Sequence, residues 1–319
     1  MSTRILTRAD VESLLEIEGA VHAVEGAFEA HGLGHARMPA KVYLDLPEHD
    51  GDFRAMPSFM DGSAGVKWVN SHPKNPERHQ LPSVMGVYIL SDPATAAPLA
   101  VLDATWITAV RTGAAAAVAS KHLAKQGART IGFVGCGVQA RTMLAAHRVY
   151  FDDLEVLGAD VFADAAQRFA TEVGGRAVTL REACGCDIVC CATPVRTPVV
   201  QRAWIQPGAH VNAMGADGPG KQELEADILL HGRVFIDDWD QATHSGEVNV
   251  PLHAGTLSRD DIAGTIGEVV AKKIAGRSAQ DQITVFDSTG LAIQDLAVAR
   301  AAYEASLEKG VGLEVALVG

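Results

Sequence analysis

Between Lys41 and Asp103 the chain sets short apolar runs between turn signals. The runs are K-V-Y-L-D-L, D-F-R-A-M-P, A-G-V-K-W-V-N, V-M-G-V-Y-I-L and L-A-V-L-D, and D-G, N-P and D-P separate them. This rhythm predicts an antiparallel meander. Upstream, T-R-A-D-V-E-S-L-L opens a helix with Thr7 as N-cap and Asp10 three residues on, a capping-box pattern, and V-H-A-V-E-G-A-F-E-A-H follows with helical spacing. D-A-T-W-I-T-A-V-R-T-G-A-A-A-A-V-A-S-K-H-L-A reads as one long Ala-rich helix.

After Gly127 the rhythm becomes strand, turn, helix. T-I-G-F-V-G leads into V-Q-A-R-T-M-L-A-A-H, and L-E-V-L-G-A-D into A-D-A-A-Q-R-F-A-T-E-V. C-D-I-V-C-C-A-T, H-V-N-A-M-G-A and R-V-F-I-D-D are unbroken apolar runs, the signature of parallel strands buried on both faces. I-T-V-F-D-S-T-G followed by L-A-I-Q-D-L-A-V-A-R-A-A-Y-E predicts a last strand, a loop and a long helix that returns to the first domain. The expected fold is α/β: a Rossmann-like doubly wound parallel sheet over 126–299, plus a smaller α+β domain with an antiparallel sheet over 1–125 and 300–319.

At 319 residues the chain exceeds one hydrophobic core, which agrees with two domains. Its formal charge of -12 argues against nucleic acid and anionic membrane as partners, but not against a small anion that feels local fields. No run of about 18 apolar residues predicts a membrane span, and M-S-T-R-I-L-T-R-A-D lacks a secretory apolar segment, so a cytoplasmic location is expected. The five cysteines (Cys136, Cys184, Cys186, Cys190 and Cys191) read as reduced thiols, with C-D-I-V-C-C-A-T a buried strand and no metal site.

G-C-G-V-Q-A, from Gly135 to Ala140, follows a strand and opens a helix. It is the G-x-G-x-x-A form of the dinucleotide fingerprint. Gly135 permits the tight turn and Gly137 lets backbone approach a pyrophosphate at the helix N-terminus. The next strand ends at Asp160, about 20 residues further on, where an acid binds ribose hydroxyls. Val161 and Phe162 follow, with no Arg for a 2′-phosphate, so NAD is preferred to NADP.

Lys41, Arg54 and Lys67 stand inside apolar stretches of the meander, and Arg111 inside the Ala-rich helix. Buried cations need partners, and four of them predict a shared site for a ligand carboxylate. A second anomaly is G-A-D-G-P-G-K-Q-E-L, which ends an apolar strand and carries Asp217 and Lys221 on a Gly-Pro-constrained loop.

With D-F-R-A-M-P, G-V-K-W-V-N-S-H-P-K-N-P, P-L-A-V-L-D-A-T, R-T-G-A-A, G-F-V-G-C-G-V-Q-A, N-A-M-G-A-D-G-P-G-K-Q-E-L and F-D-S-T-G-L-A-I-Q-D in order along nearly the whole chain, the sequence resembles the ornithine cyclodeaminase and mu-crystallin family. The resemblance implies a homodimer, with the first domain forming the interface and the substrate wall. It implies that Lys41, Lys67 and Arg111 form the substrate-carboxylate and catalytic cluster and that Asp217 is the catalytic acid. Arg111, Thr112, Val138, Gln139, Asp160, Thr193, Met214, Gly215, Ala216, Lys221 and Ser288 fall on cofactor-contacting motifs. One position departs from the pattern. The cyclodeaminases carry an acid in the slot before M-P that grips the distal ammonium of ornithine; here the slot holds Arg54. Like charges about 4 Å apart at a partly buried site cost roughly 4 kcal/mol, so a monoamino substrate such as alanine fits better.

The expected activity is NAD-dependent oxidative deamination of a small L-amino acid to a 2-oxo acid and ammonia, and its reverse. Lys67, its pKa lowered by neighbouring cations, would carry the proton, and Asp217 would stabilise the iminium and activate water. These roles require the cationic patch of the first domain to face the carboxyl edge of the nucleotide-binding sheet. A ketimine reductase and an ornithine or lysine cyclodeaminase are the alternatives that share this chemistry. A nucleotide- or small-ligand-binding protein without turnover is the alternative of another class, and it gives no reason to keep both Lys67 and Asp217.

Overall fold

The computed structural model describes residues 2–318. The chain divides into two compact units: one runs to Arg111 and resumes at Leu291, the other is Thr112–Gly290.

The first unit is built on an eight-stranded sheet, with β1 (Thr3–Leu6), β2 (Ala36–Arg37), β3 (Val42–Leu46), β4 (Gly51–Met60), β5 (Ser63–Ser71), β6 (Val84–Ser91) and β7 (Pro98–Asp103). Its remaining strand, Leu313–Val315, pairs antiparallel with β1. β3 to β7 are the predicted meander, each paired antiparallel with the next. The β1–β7 pair is parallel, and neither β1 nor the Leu313–Val315 strand was expected from the local pattern. Thr7 and Asp10 form the expected capping box ahead of the helix Arg8–Leu14.

Alternation along β4 and β5 sorts the residues by face. Arg54 stands opposite Tyr43 and Val69, and Lys67 opposite Met56 and Tyr88, so all six share one face of the sheet. The helix Ala292–Lys309 packs against β4, β5 and β6, and the helix Ile17–Leu33 packs against it in turn. Arg54 and Lys67 are therefore carried on the face that the sheet buries.

The second unit is an all-parallel sheet. Its strands are β8 (Thr130–Val134), β9 (Glu155–Ala159), β10 (Arg176–Ala177), β11 (Ile188–Cys191), β12 (His210–Ala213), β13 (Arg233–Ile236), β14 (Ile262–Thr265) and β15 (Thr284–Asp287), in the order β10-β9-β8-β11-β12-β15-β13-β14. β8, β11, β12 and β15 are buried along almost their whole length, which explains their unbroken apolar pattern. The helices Val138–His147 and Ala163–Val173 stand where the pattern places them. All five cysteines are free and buried, with Cys190 and Cys191 in β11. No helix among the described residues is long and apolar enough to cross a membrane.

Candidate active site

In the first unit the chemistry gathers on Lys67. Its side chain is 1% exposed in the middle of β5. Nζ donates to Asp295 Oδ1 at 2.8 Å and to Thr108 Oγ1 at 3.3 Å. Arg111 Nε donates to the same Asp295 oxygen at 3.2 Å, and Arg111 Nη1 to Gln294 Oε1 at 3.2 Å. Two buried cations thus share one carboxylate oxygen. The other, Oδ2, is buried with no hydrogen-bond partner among the described residues.

Burial pulls the Lys67 ammonium down from its ordinary value near 10.5 to about 7. Asp295 opposes that shift, while Arg111 and Lys41 reinforce it. The sequence expectation assigned the lowering to crowding by cations; desolvation comes first, with charge crowding second.

Lys41 lies just ahead of β3 and is close enough to act on the Lys67 charge. Arg54, on the same face, makes a two-pronged ion pair with Asp52: Nε to Oδ1 at 2.7 Å and Nη2 to Oδ2 at 2.9 Å. Its guanidinium also lies 5.3 Å from the centroid of the Tyr43 ring. Arg54 therefore carries a matched charge, and its repulsion of a second substrate ammonium is weaker than an isolated arginine would give.

In the second unit the predicted residues collect at the carboxyl ends of parallel strands, where open α/β sheets bind ligands. Gly135, Gly137, Val138 and Gln139 follow β8; Asp160, Val161 and Phe162 follow β9; Thr193 follows β11; Met214 to Asp217 follow β12; Ser288 follows β15. Thr112 begins this unit, buried on the helix Ala104–Leu123.

The residues after β8 and β9 fit a dinucleotide. Gly135 has φ +93°, and a Cβ there would lie 2.9 Å from the Ala192 carbonyl oxygen, so only glycine serves. A Cβ on Gly137 would meet nothing within 4 Å, which leaves the N-terminus of the following helix open to a phosphate. Asp160 accepts from Cys136 N at 2.8 Å and from Phe162 N at 2.9 Å. A carboxylate has about four acceptor positions, so both bonds leave room for ribose hydroxyls. Val161 and Phe162 are 80% and 73% exposed and offer no cation to a 2′-phosphate. The nearby Arg141 is engaged with the carbonyls of Cys136 and Gly137 and with Glu172.

The Gly-Pro loop is held from two sides. Lys221 Nζ pairs with Asp217 Oδ1 at 2.5 Å, four residues apart, while the Asp217 side chain stays 34% exposed. Lys221 thus fixes Asp217 and leaves part of its carboxylate accessible.

Beneath the loop stand acids the sequence reading did not single out. Glu223 Oε1 accepts from Thr193 N at 2.6 Å and from Thr193 Oγ1 at 2.7 Å, and its Oε2 accepts from Gly215 N at 2.7 Å. Glu247 in turn accepts from the backbone of Glu223 and Leu224. Asp287 accepts from Glu247 N and Val248 N, and Asp237 from Thr289 N and Gly290 N. Burial pushes Glu223 and Asp287 up to about 7, against donors that favour their charged forms. The Ser288 hydroxyl is within 3.5 Å of Asp237.

Asp295 also escaped the sequence reading, although a signal was available: it is a charged residue inside an apolar helix, the same test that picked out Lys67 and Arg111. Glu223 and Glu247 gave no such signal, because they sit in polar, loop-like sequence.

The fingerprint turn, the parallel sheet and the acid after β9 define the second unit as a dinucleotide-binding α/β unit. The chain belongs to the ornithine cyclodeaminase/mu-crystallin family, whose model matches residues 1–310. It is 48% identical over 320 residues to the alanine dehydrogenase of Archaeoglobus fulgidus, covering 99% of this chain and 98% of that protein. An archaeal alanine dehydrogenase dimer solved with bound NAD matches it with a TM-score of 0.96 at 48% identity, covering 100% of both chains. The Delta(1)-pyrroline-2-carboxylate reductase of Thermococcus litoralis, solved with NADH and L-proline, matches with a TM-score of 0.93 at 35% identity, covering 98% of this chain and 100% of that one.

Proposed function

We infer that the protein catalyses the NAD-dependent oxidative deamination of L-alanine to a 2-oxo acid and ammonia, and the reverse reductive amination. The observation that carries this reading is the buried Lys67, held near neutrality as a proton carrier beside Arg111 in a chain with a complete dinucleotide fingerprint. The likeness to alanine dehydrogenase along the whole chain supports it.

NAD, when bound, would supply the acceptor for a hydride from the substrate Cα. Gly135, Gly137, Val138 and Gln139 would hold its pyrophosphate, and Asp160, with Val161 and Phe162, its ribose. Arg111, Thr112, Thr193, Met214, Gly215, Ala216, Lys221 and Ser288 would complete the cofactor contacts. Arg111, Lys41 and Arg54 orient the substrate carboxylate. Lys67 takes a proton from the substrate ammonium, so that the nitrogen lone pair can form the C=N bond as hydride departs. Asp217 stabilises the resulting iminium and takes a proton from the water that adds to its carbon. Lys67 returns its proton to the nitrogen, and ammonia leaves as the carbinol O–H proton passes to solvent, giving the 2-oxo acid.

Incubation with NAD and a panel of L-amino acids, followed at the NADH absorbance band, tests this. Alanine is expected to turn over fastest. Proline formed from ornithine would replace the reading with a cyclodeaminase, and NADH consumption only with cyclic ketimines would replace it with a reductase.

A second copy of this chain is proposed to cover the outer face of the first unit's sheet, where Val42, Leu44, Trp68, Val87 and Ile89 are between 39% and 64% exposed. An apolar patch of this kind marks an interface, and the archaeal alanine dehydrogenase is itself a dimer. Light scattering is expected to give twice the chain mass, and Trp68→Glu to give a monomer; a monomeric wild type removes the dimer.

A further inference from the structure

Two positive side chains and one negative one are buried together around Lys67. Lys67 and Arg111 both reach Asp295 Oδ1, at 2.8 Å and 3.2 Å. Side-chain exposure is 1% for Lys67, 10% for Arg111 and 0% for Asp295. A single carboxylate balances only one of two cations, so one buried positive charge has no matching carboxylate in contact among the described residues. Arginine stays protonated in a protein, so the surplus falls on the lysine.

Every element around Lys67 contributes to that balance. Asp295 comes from the helix Ala292–Lys309, and Arg111 and Thr108 from the helix Ala104–Leu123. Tyr88 stands opposite on β6, Arg54 with its Asp52 partner lies on β4, and Lys41 precedes β3. Of these, Asp295 is the acid in contact with the ammonium; Asp52 is turned to Arg54.

We propose that Asp295 is a positioning residue for the chemistry assigned to Lys67: one carboxylate oxygen clamps the Lys67 ammonium and the Arg111 guanidinium, and so sets how readily Lys67 gives up its proton. This rests on the reading of Lys67 as proton carrier. Its direction is fixed by charge. Asp295 favours the protonated lysine and opposes burial, so removing its charge leaves Lys67 beside Arg111 alone and makes the neutral amine easier to form. The second oxygen, Oδ2, has no hydrogen-bond partner among the described residues, so the carboxylate's grip is spent on the two cations through Oδ1.

The test follows Lys67 directly, in the full chain labelled with 13C at the lysine ε position. The Lys67 resonance is assigned by its loss in Lys67→Met. In the wild type it is expected to titrate near neutrality, far below the surface lysines. In Asp295→Asn its midpoint is expected to fall by about one to three pH units, the usual reach of one nearby opposite charge. The acid limb of kcat/KM for alanine oxidation moves down with it. A merely structural Asp295 would cost stability and leave the midpoint of the folded variant where it was, and that result overturns the proposal. Should Asp295→Asn not fold, Asp295→Glu keeps the charge but displaces it; a moved midpoint supports the proposal and an unmoved one overturns it. The titration separates this idea from the catalytic reading: a shifted Lys67 midpoint without alanine turnover removes the activity and keeps the clamp. Turnover with an unshifted midpoint removes the clamp and keeps the activity.

Discussion

The two units bury charge in opposite ways. The first buries cations: Lys67 and Arg111 meet at Asp295, and Arg54 pairs with Asp52. The second buries acids: Glu223, Glu247, Asp237 and Asp287 lie under the carboxyl ends of its strands. Desolvation acts on both and drives both toward neutrality, taking Lys67 down to about 7 and Glu223 and Asp287 up to about 7. What differs is the supply of partners. Loops at the ends of parallel strands present backbone N–H groups that a carboxylate can accept from, so the acids are satisfied by main chain. The carbonyls inside a sheet are already used in its ladders, so a buried ammonium must find a carboxylate or a hydroxyl. The acids become fixtures: Glu223 holds Thr193 and Gly215 in place, and Glu247 holds the backbone of Glu223. Burial instead leaves the lysine with a pKa lowered to about 7.

The sharpest way to break this contrast is to remove the two proposed proton carriers, Lys67 and Asp217. Lys67→Met is expected to lower kcat/KM for alanine oxidation by about 10²–10⁴-fold with NADH affinity retained, as loss of a general acid–base group does. Asp217→Asn is expected to behave likewise. Steady-state kinetics with NADH fluorescence titration measures both, and near-normal turnover in either variant takes that residue out of the mechanism.

A smaller effect is expected from the fixtures. In Glu223→Gln an amide N–H would face the N–H of Thr193 or of Gly215. Leaving a buried donor unsatisfied costs about 1–3 kcal/mol. NAD is then expected to bind roughly tenfold more weakly, with kcat reduced less than in the Lys67 variant; calorimetric titration with NAD measures it. Unchanged affinity would show that these acids hold the fold and not the cofactor loops.

A separate test, on stability and not on activity, concerns a buried group with no catalytic part. His147 Nδ1 lies 2.7 Å from the Met143 carbonyl oxygen and its Nε2 2.8 Å from Ser120 Oγ. Burial pulls its pKa from 6.5 to about 4. A depressed histidine gives stability that is present above the unfolded value of 6.5 and lost as pH falls through the folded value. Raised acids act in the opposite sense: the contribution of Glu223 and Asp287 is present below their unfolded values near 4 and lost as pH rises through about 7. The net slope between pH 4 and 7 mixes the two signs, so the informative quantity is the difference between wild type and His147→Gln. Urea unfolding is expected to show any advantage of the wild type shrinking as pH drops from 6.5 toward 4, by up to about 3 kcal/mol. A constant difference would mean that His147 does not titrate with unfolding.

The sequence by itself determined the two architectures, the fingerprint turn and three of the four expected buried cations, Arg54, Lys67 and Arg111; Lys41 is only half-buried. Strand and helix periods, the Thr7 capping box and the Gly135 turn are written within about ten neighbouring residues, and such signals survive without the rest of the fold. A lysine in the middle of an apolar strand is legible for the same reason: the strand buries it wherever the strand goes. Which acid meets that lysine was decided only by tertiary structure. Asp295 is 228 residues from Lys67, and no local period links them. Asp52, two residues before Arg54, falls on the same face of β4 by strand alternation alone, so that pairing was within reach of the local pattern. By contrast, the short strand Leu313–Val315 depends on β1 at the other end of the sequence, and β1 on β7. Local pattern says what must be buried; long-range pairing decides what each buried charge meets, and with it which groups can move a proton.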